Sequence, residues 1–237
     1  YSKDVENLMM AGRDISASKM AFSSLRVMGT CAVGGETVGI AAALCTKYGC
    51  LPRELADGHI HELQQLILKA DGFLPNIVNE DEADLARDAV FTASSCQAGG
   101  EAGQVVNGIS RKLGENWNGW VSDGISENGE TLTMTLPDEQ TLSQLRLTFW
   151  SDFSYPIRVT MAPNRQRQQR VGVPAELVKD YTVRLMLDHK VVKEIEVKDN
   201  YQRLNVLDFE GVTCDSAEIV VHSTNGHRDA VIFEVRA

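Results

Sequence analysis

Three things are scarce in this 237-residue sequence: basic charge, paired cysteines and long apolar runs. Lys and Arg number 23 against 33 Asp and Glu, giving a net charge of -10, and the only dense basic cluster is Arg165, Arg167 and Arg170. Nucleic-acid binding needs clustered cations to neutralise phosphates, so a nucleic-acid partner is not expected. The five cysteines, Cys31, Cys45, Cys50, Cys96 and Cys214, form no CxxC pair and no metal-ligand spacing. That argues against a disulfide framework and against a zinc or iron–sulfur centre, leaving thiols that are expected to be mostly buried. No signal peptide, lipid anchor or run of about 18 apolar residues is visible, so no membrane span is expected. The chain opens at Tyr1, inside what reads as a structural element, so an upstream segment is expected. For a soluble chain the compartment stays open between cytoplasm and periplasm.

What is present suits a folded protein. Hydrophobic residues make up 43% and charged residues 24%, the balance of an ordinary globular chain, and the length accommodates two domains. The pattern changes character near residue 75, which places one domain over residues 1–75 and another over 76–237. The expected class is α+β: a short strand and a helical hairpin rich in small residues, followed by an antiparallel β-sandwich.

In the first part, Asn7 to Arg13 has the pattern of a short buried strand, and Ala32 to Lys47 that of a helix. Gly35, Gly39, Ala42 and Ala43 fall on neighbouring turns of that helix, so another element or a ligand must approach its backbone closely. Pro52 then interrupts, and Arg53 to Ala70 carries Leu55, Leu63, Leu66 and Ile67 at helical spacing. A strand that leads through a polar loop to a helix start is anion-binding geometry, because the first turn leaves backbone N–H groups unpaired at the positive end of the helix dipole. Thr30 and Gly34 would permit the approach, and Arg13, Ser16, Ser18, Ser23 and Arg26 supply polar contacts. The alternative is tight helix packing alone, since Gly34, Gly35 and Gly39 form neither GxGxxG nor a P-loop.

Residues 7–50, NLMMAGRDISASKMAFSSLRVMGTCAVGGETVGIAAALCTKYGC, resemble the C-terminal signature of a family of bacterial FAD-dependent oxidoreductases. The pattern is N-L-x-x-A-G-R-x-I-S-A-S, then S-x-R-V-M, then a helix of the form G-x-A-x-G-x-A-A-A-L, and the likeness extends over about the first 70 residues. The resemblance implies that Gly12 and Arg13 form the turn beside a flavin and that Ser16, Ser18 and Arg26 line its approach. It also implies that Gly29, Thr30, Cys31, Ala32, Gly34 and Gly35 bring backbone N–H groups to the flavin edge. The chain departs from the family at Glu36–Gly39, where Glu36 is expected to put a negative charge into the first helical turn, and at Gly29, where Pro is common. The Gly-rich βαβ unit that would hold the ADP half of FAD is not in these residues. The resemblance therefore implies FAD in a longer parent protein, an N-terminal flavoprotein region as partner, and no stable flavin binding by this piece alone.

From about residue 88 the apolar residues alternate with period two between Gly, Asn, Asp and Pro clusters, which predicts strands at 131–136, 143–150, 181–188, 190–197, 217–223 and 230–236. Short strands with almost no helix between them imply an antiparallel sandwich. The stretches AVFTASSCQAGGEAGQVVNGIS, NWNGWVSD, TLTMTLPDEQTLSQLRLTF and VIFEVRA resemble galactose-binding-like (discoidin-type, jelly-roll) domains. That likeness makes Trp120 a core residue and points to a possible glycan ligand. An aromatic platform with polar partners would draw on Asn116, Trp117, Asn118, Trp150, Tyr155 and Arg158, although a Trp in NWNGW fits the core equally well. The family's structural calcium would fall near Asn107, Gly108, Asp123 and Glu234. His59 and His61 read as a surface pair at a helix start, and Glu80, Asp81, Glu82 and Asp84 as a solvated linker face. Three readings follow: an oxidoreductase fragment with an accessory sandwich, a carbohydrate- or partner-binding sandwich with structural helices, or a fragment that self-associates through its small-residue helix.

Overall fold

The computed structural model describes residues 1–155 and 159–237. The chain divides into two compact units, Tyr1–Glu80 and Asp81–Ala237.

In the first unit the expected strand is absent. Asn7 to Arg13 forms no ladder, and Leu8 and Met10 are 41% and 40% exposed. A strand needs a neighbour to take its N–H and C=O groups, and no described segment of this unit is extended beside it. The segment ends instead in a 3-10 turn, Gly12–Asp14, with Gly12 in the left-handed region at φ 76°.

Lys19–Leu25 forms α1, capped by Ser18, whose hydroxyl accepts the Ala21 N–H at 3.3 Å. Met28–Tyr48 forms α2, which begins a turn earlier than the expected Ala32. Glycines at 29, 34 and 35 weaken helix propensity there and hide the first turn from sequence reading. Gly49, at φ 62° and ψ 32°, ends α2, and Cys50 N–H returns to the Cys45 carbonyl at 3.0 Å, the left-handed stop that glycine favours. The helix expected over Arg53–Ala70 is two helices, Pro52–Gly58 (α3) and Ile60–Lys69 (α4), broken at His59 with φ -131°. The His59 ring stacks on Tyr48 at 3.9 Å, while His61 is exposed and reaches Glu80 at 3.0 Å.

Ala41 and Leu44 of α2 pack with Leu55, Leu63 and Ile67 into this unit's small core. Gln65 then holds the chain's exit, bonding the Val78 carbonyl and the Glu80 N–H. By length and composition alone, the test that a core helix of a soluble protein also passes, α2 is long and apolar enough to cross a membrane. It also carries Glu36 and Lys47 and buries only Ala41 and Leu44.

The second unit is an antiparallel β-sandwich. Its strands are Val90–Ala93 (β1), Trp120–Val121 (β2), Glu130–Phe149 (β3), Val178–Leu187 (β4), Lys190–Val197 (β5), Leu204–Thr224 (β6) and Val231–Arg236 (β7). A short helix, Pro163–Arg167 (α5), lies between β3 and β4. Two expected strands, 131–136 and 143–150, are one long β3, and 217–223 is only the end of β6. β3 and β6 pair along their length, with register shifts between Thr135 and Gln140 and between Leu142 and Gln144. Such bulges let a strand bend and serve two layers. Before the shifts β3 also pairs with β1, opposite the part of β6 that carries β4 and β5; after them it pairs with β7, which carries β2.

Inward residues from both layers form one core, including Leu132, Met134, Leu145, Leu147, Phe149, Val183, Ile219 and Ile232. Trp120 is fully buried there and donates its indole N–H to the Ser95 carbonyl at 2.8 Å, which satisfies the one polar atom of the ring. Gly119 precedes it because a Cβ would lie 2.6 Å from the Ile232 carbonyl oxygen and 2.8 Å from Phe233 Cα. The acidic run does not stay wholly solvated: Asp84 is buried, and its carboxylate accepts the N–H groups of Ala86 and Ala237. All five cysteines are free thiols, but only Cys214 is fully buried and Cys96 is exposed, fewer buried thiols than expected.

Candidate functional sites

In the first unit, the residues singled out from sequence gather along the loop from Gly12 to the start of α2. Val27 caps α2 with no side-chain hydrogen bond, and the first turn holds no acidic residue. Its unpaired N–H groups belong to Met28, Gly29 and Thr30, since Cys31 N–H already bonds the Val27 carbonyl at 3.0 Å. The Cys31 thiol is turned back to the Leu25 carbonyl at 3.7 Å. Gly34 and Gly35 lie well inside the helix, so their N–H groups point along it rather than outward. Their contribution is a bare surface: a Cβ at Gly29, Gly34 or Gly35 would meet nothing within 4 Å. Glu36 lies beyond the first turn, so the anticipated charge at the helix start is absent. Arg13, Ser16, Ser18, Arg26, Gly29, Thr30 and Ala32 are exposed, and Ser18 is engaged as the α1 cap. A positive helix end and two exposed guanidinium groups are a donor set that fits an electron-rich, flat ring system, and the helix surface at Gly34 and Gly35 is uncrowded.

In the second unit, the candidate site is a cavity of about 450 Å³ between the loop that precedes β2 and the one that follows β3. The first loop closes on itself through a bridge between Leu113 and Asn116, with Gly114 at φ 58°. Asn118, a candidate ligand residue, is structural here: its amide donates to the Arg111 carbonyl at 3.1 Å and its oxygen accepts from Asn107 at 3.1 Å. Trp150 leaves the end of β3 and lines the cavity with Phe153, Arg111, Lys112, Arg203 and Phe233. Its indole meets Trp117 edge to face at 5.1 Å and His227 at 5.1 Å. Trp117 is only partly buried, packing with Trp150 on Val121, Val231 and Phe233.

Phe153 is 62% exposed, with the Arg203 guanidinium 4.6 Å and the Arg111 guanidinium 5.4 Å from its ring centre. Arg203 is held from below by the Phe149 carbonyl at 2.7 Å and by the Ser110 carbonyl. The Lys112 ammonium lies 4.2 Å from the Trp117 ring centre.

Of the residues singled out from sequence, Trp150 lines this cavity and Trp117 packs against Trp150, while Arg111, Lys112, Phe153, Arg203 and Phe233 were not singled out. Phe153 and the Arg111–Lys112 pair flank the tryptophans closely enough to have been noticed. Arg203 carries no local signal, because only the fold brings it to the loops. Tyr155 does not line the cavity; it stacks on Arg170, whose guanidinium is 3.5 Å from its ring centre. Arg170 in turn grips Glu176 at 2.7 Å and reaches Asp152 at 3.5 Å. That guanidinium holds the Glu176 carboxyl below the usual carboxylate range, against the opposing effect of burial. Arg158 lies outside the described residues.

The calcium candidates are engaged elsewhere. Glu234 is buried and accepts from Arg236 at 2.9 Å, Asp123 pairs with Arg228 at 3.0 Å, and Asn107 braces Asn118 and Ile109. Among the described residues no three His, Cys, Asp or Glu side chains gather as metal ligands.

Residues 1–67 match the model of the family described as FAD dependent oxidoreductase. No curated protein matches the chain. Among solved structures similar to it is chitosan-binding module 1 of a chitosanase/glucanase from Paenibacillus sp. IK-5, 15% identical, covering 65% of this chain and 96% of that one with a TM-score of 0.47. Another is the family 32 CBM from C. perfringens NanJ in complex with galactose, 13% identical over 65% of this chain and 96% of that one, TM-score 0.46. A third is the Streptococcus pneumoniae fucose binding module SpX-3, 13% identical over 65% of this chain and 95% of that one, TM-score 0.48.

Proposed function

We propose that this chain is the C-terminal part of an FAD-dependent oxidoreductase, in which the first unit lends one wall to the flavin pocket and the sandwich recognises a ligand. The observation that carries the first half is the family match over residues 1–67, which coincides with an uncovered donor surface at the start of α2. When bound, the flavin would supply electron-pair transfer to or from the substrate. The chain's own residues bind and orient: the N–H groups of Met28, Gly29 and Thr30 and the guanidinium groups of Arg13 and Arg26 would face electron-rich atoms of the ring system. Gly34 and Gly35 would let it lie close to the helix, and the left-handed Gly12 sets the turn that delivers Arg13.

The test is a flavin titration of two proteins, the 237-residue chain and the same chain preceded by its dinucleotide-binding region. Stoichiometric uptake with a visible flavin band is expected only in the second. Tight uptake by the short chain, or none by the long one, overturns the reading.

A second reading concerns the sandwich, and the Trp150 cavity favours it. An indole, an exposed phenyl ring and guanidinium groups around about 450 Å³ suit a sugar ring, whose C–H face packs on aromatics while its hydroxyls take hydrogen bonds. Trp150→Ala should abolish retention on an oligosaccharide array; unchanged retention would move the ligand elsewhere or remove it.

A further inference from the structure

The cavity has a charge opposite to that of its protein. The chain carries a net charge of -10, yet Arg111, Lys112 and Arg203 all line this one cavity. Asp152 is the single carboxylate among its described lining residues, and it lies 3.5 Å from Arg170. Clustering cations costs repulsion, and in an acidic protein a random surface of this size would carry the other sign. A concave site lined by one sign of charge focuses field on ligands of the opposite sign.

Each of the three cations also lies against an aromatic ring. The Arg111 and Arg203 guanidinium groups lie against Phe153, Arg203 is 5.3 Å from the Phe233 ring centre, and Lys112 lies over Trp117. Arg203 is positioned by two backbone carbonyls from different segments, Phe149 and Ser110. Planar guanidinium is well suited to carboxylate and sulfate oxygens. Alternating cations and aromatic faces match a ligand that carries an anionic group on an otherwise sugar-like ring.

Resting on the reading of the sandwich as a sugar-recognition module, we propose that its ligand class is acidic carbohydrate, with a uronic-acid carboxylate or a sulfate ester seated against Lys112, Arg111 and Arg203. The ring's C–H face then lies on Trp150 and Phe153. Neutral sugars of the same configuration make the second set of contacts and lack the first.

The experiment uses the full 237-residue chain and matched probes, galacturonate against galactose and glucuronate against glucose, with binding followed by calorimetry and by the indole N–H signals of Trp117 and Trp150. The acid of each pair should bind about tenfold or more tighter, equivalent to about 1.4 kcal/mol, and the advantage should shrink as salt is raised from low to physiological strength. Lys112→Glu, a change at an exposed side chain, should erase most of the acid-over-neutral preference, read as the ratio of the two affinities within each pair. Equal affinities within each pair, or a preference untouched in K112E, overturn the proposal while the recognition module stands. Inorganic sulfate binding as tightly as galacturonate also overturns it, because the site then selects charge without sugar. Failure of all four sugars to bind removes both the proposal and the module on which it rests.

Discussion

Trp117 and Trp150 meet edge to face, their ring centres 5.1 Å apart and their planes at 86°. Trp150 lines the cavity and Trp117 packs against it, so in the proposed reading one ring contacts the ligand and the other supports it. Trp117→Ala should weaken ligand binding without touching the ligand, through a Trp150 ring that is no longer held. The edge-to-face pair alone is worth about 1 kcal/mol, and the lost packing adds to it. Urea unfolding followed by Trp fluorescence checks the stability change, and a normal affinity in W117A would deny the bracing role.

The glycine face of α2 separates stability from function. In the isolated chain Gly34→Ala meets no atom and should raise helix stability by up to about 1 kcal/mol. In the proposed longer flavoprotein the same methyl group would stand where the flavin is proposed to approach, and FAD affinity should fall about tenfold or more, about 1.4 kcal/mol. Thermal melts of the chain and flavin titration of the whole protein read the two effects, and a variant that gains stability with unchanged affinity would show the face to be vacant of cofactor.

The pair formed by Arg170 and Glu176 predicts an acid limb in the stability profile. Because the folded state depresses the Glu176 pKa, its contribution is present above the usual carboxylate value, about 4.3, and is lost as pH falls through the lower folded value. Glu176→Gln should cost about 1–3 kcal/mol at pH 7 and have a shallower loss of stability below about pH 4.3. Parallel denaturant curves at pH 7, 5, 4 and 3 measure it; parallel slopes in both proteins would assign the acid limb to other groups.

Gly119→Ala should be among the most damaging single changes in the sandwich. Its methyl group would drive into β7 at Ile232 and Phe233, where backbone cannot yield as a flexible side chain can, and overpacking of this kind costs about 1–3 kcal/mol or more. The change also disturbs the register that carries Trp120 and Val121 against β7. A calorimetric Tm within a degree of the parent would contradict the crowding described.

How far the fold could be read from sequence varied with what each signal depends on. The stretch 190–197 was bounded correctly, because alternation and a two-residue turn at Asp188 and His189, both with positive φ, are local facts. β3 read as two strands because Pro137, Asp138 and Glu139 are turn formers, whereas in the fold they occupy an irregularity within a strand that continues. The start of β6 was missed because Gly211 and alternating acids in LDFEG look like a loop. Asn7 to Arg13 misled in the opposite direction: an apolar run says that a segment is buried by something, and here the described unit supplies no neighbouring strand. At the candidate site the tryptophans stood out by residue type, while Arg203 depended on a long-range approach that no spacing encodes.

The hydrogen bonds of Asp84 and Leu85 to the last residue have a practical meaning for engineering. Leu85 N–H reaches the Ala237 carbonyl at 2.9 Å, and Ala237 N–H reaches the Asp84 carboxylate at 3.0 Å, so the sandwich opens and closes at one point. Joining those ends with a few residues closes a short loop at little entropic cost, and new termini at the Asp188–His189 turn would give a circular permutant with its ladders otherwise intact. The unit is in that sense a cassette, able to be set into a surface loop of a host protein without stretching either side of the splice.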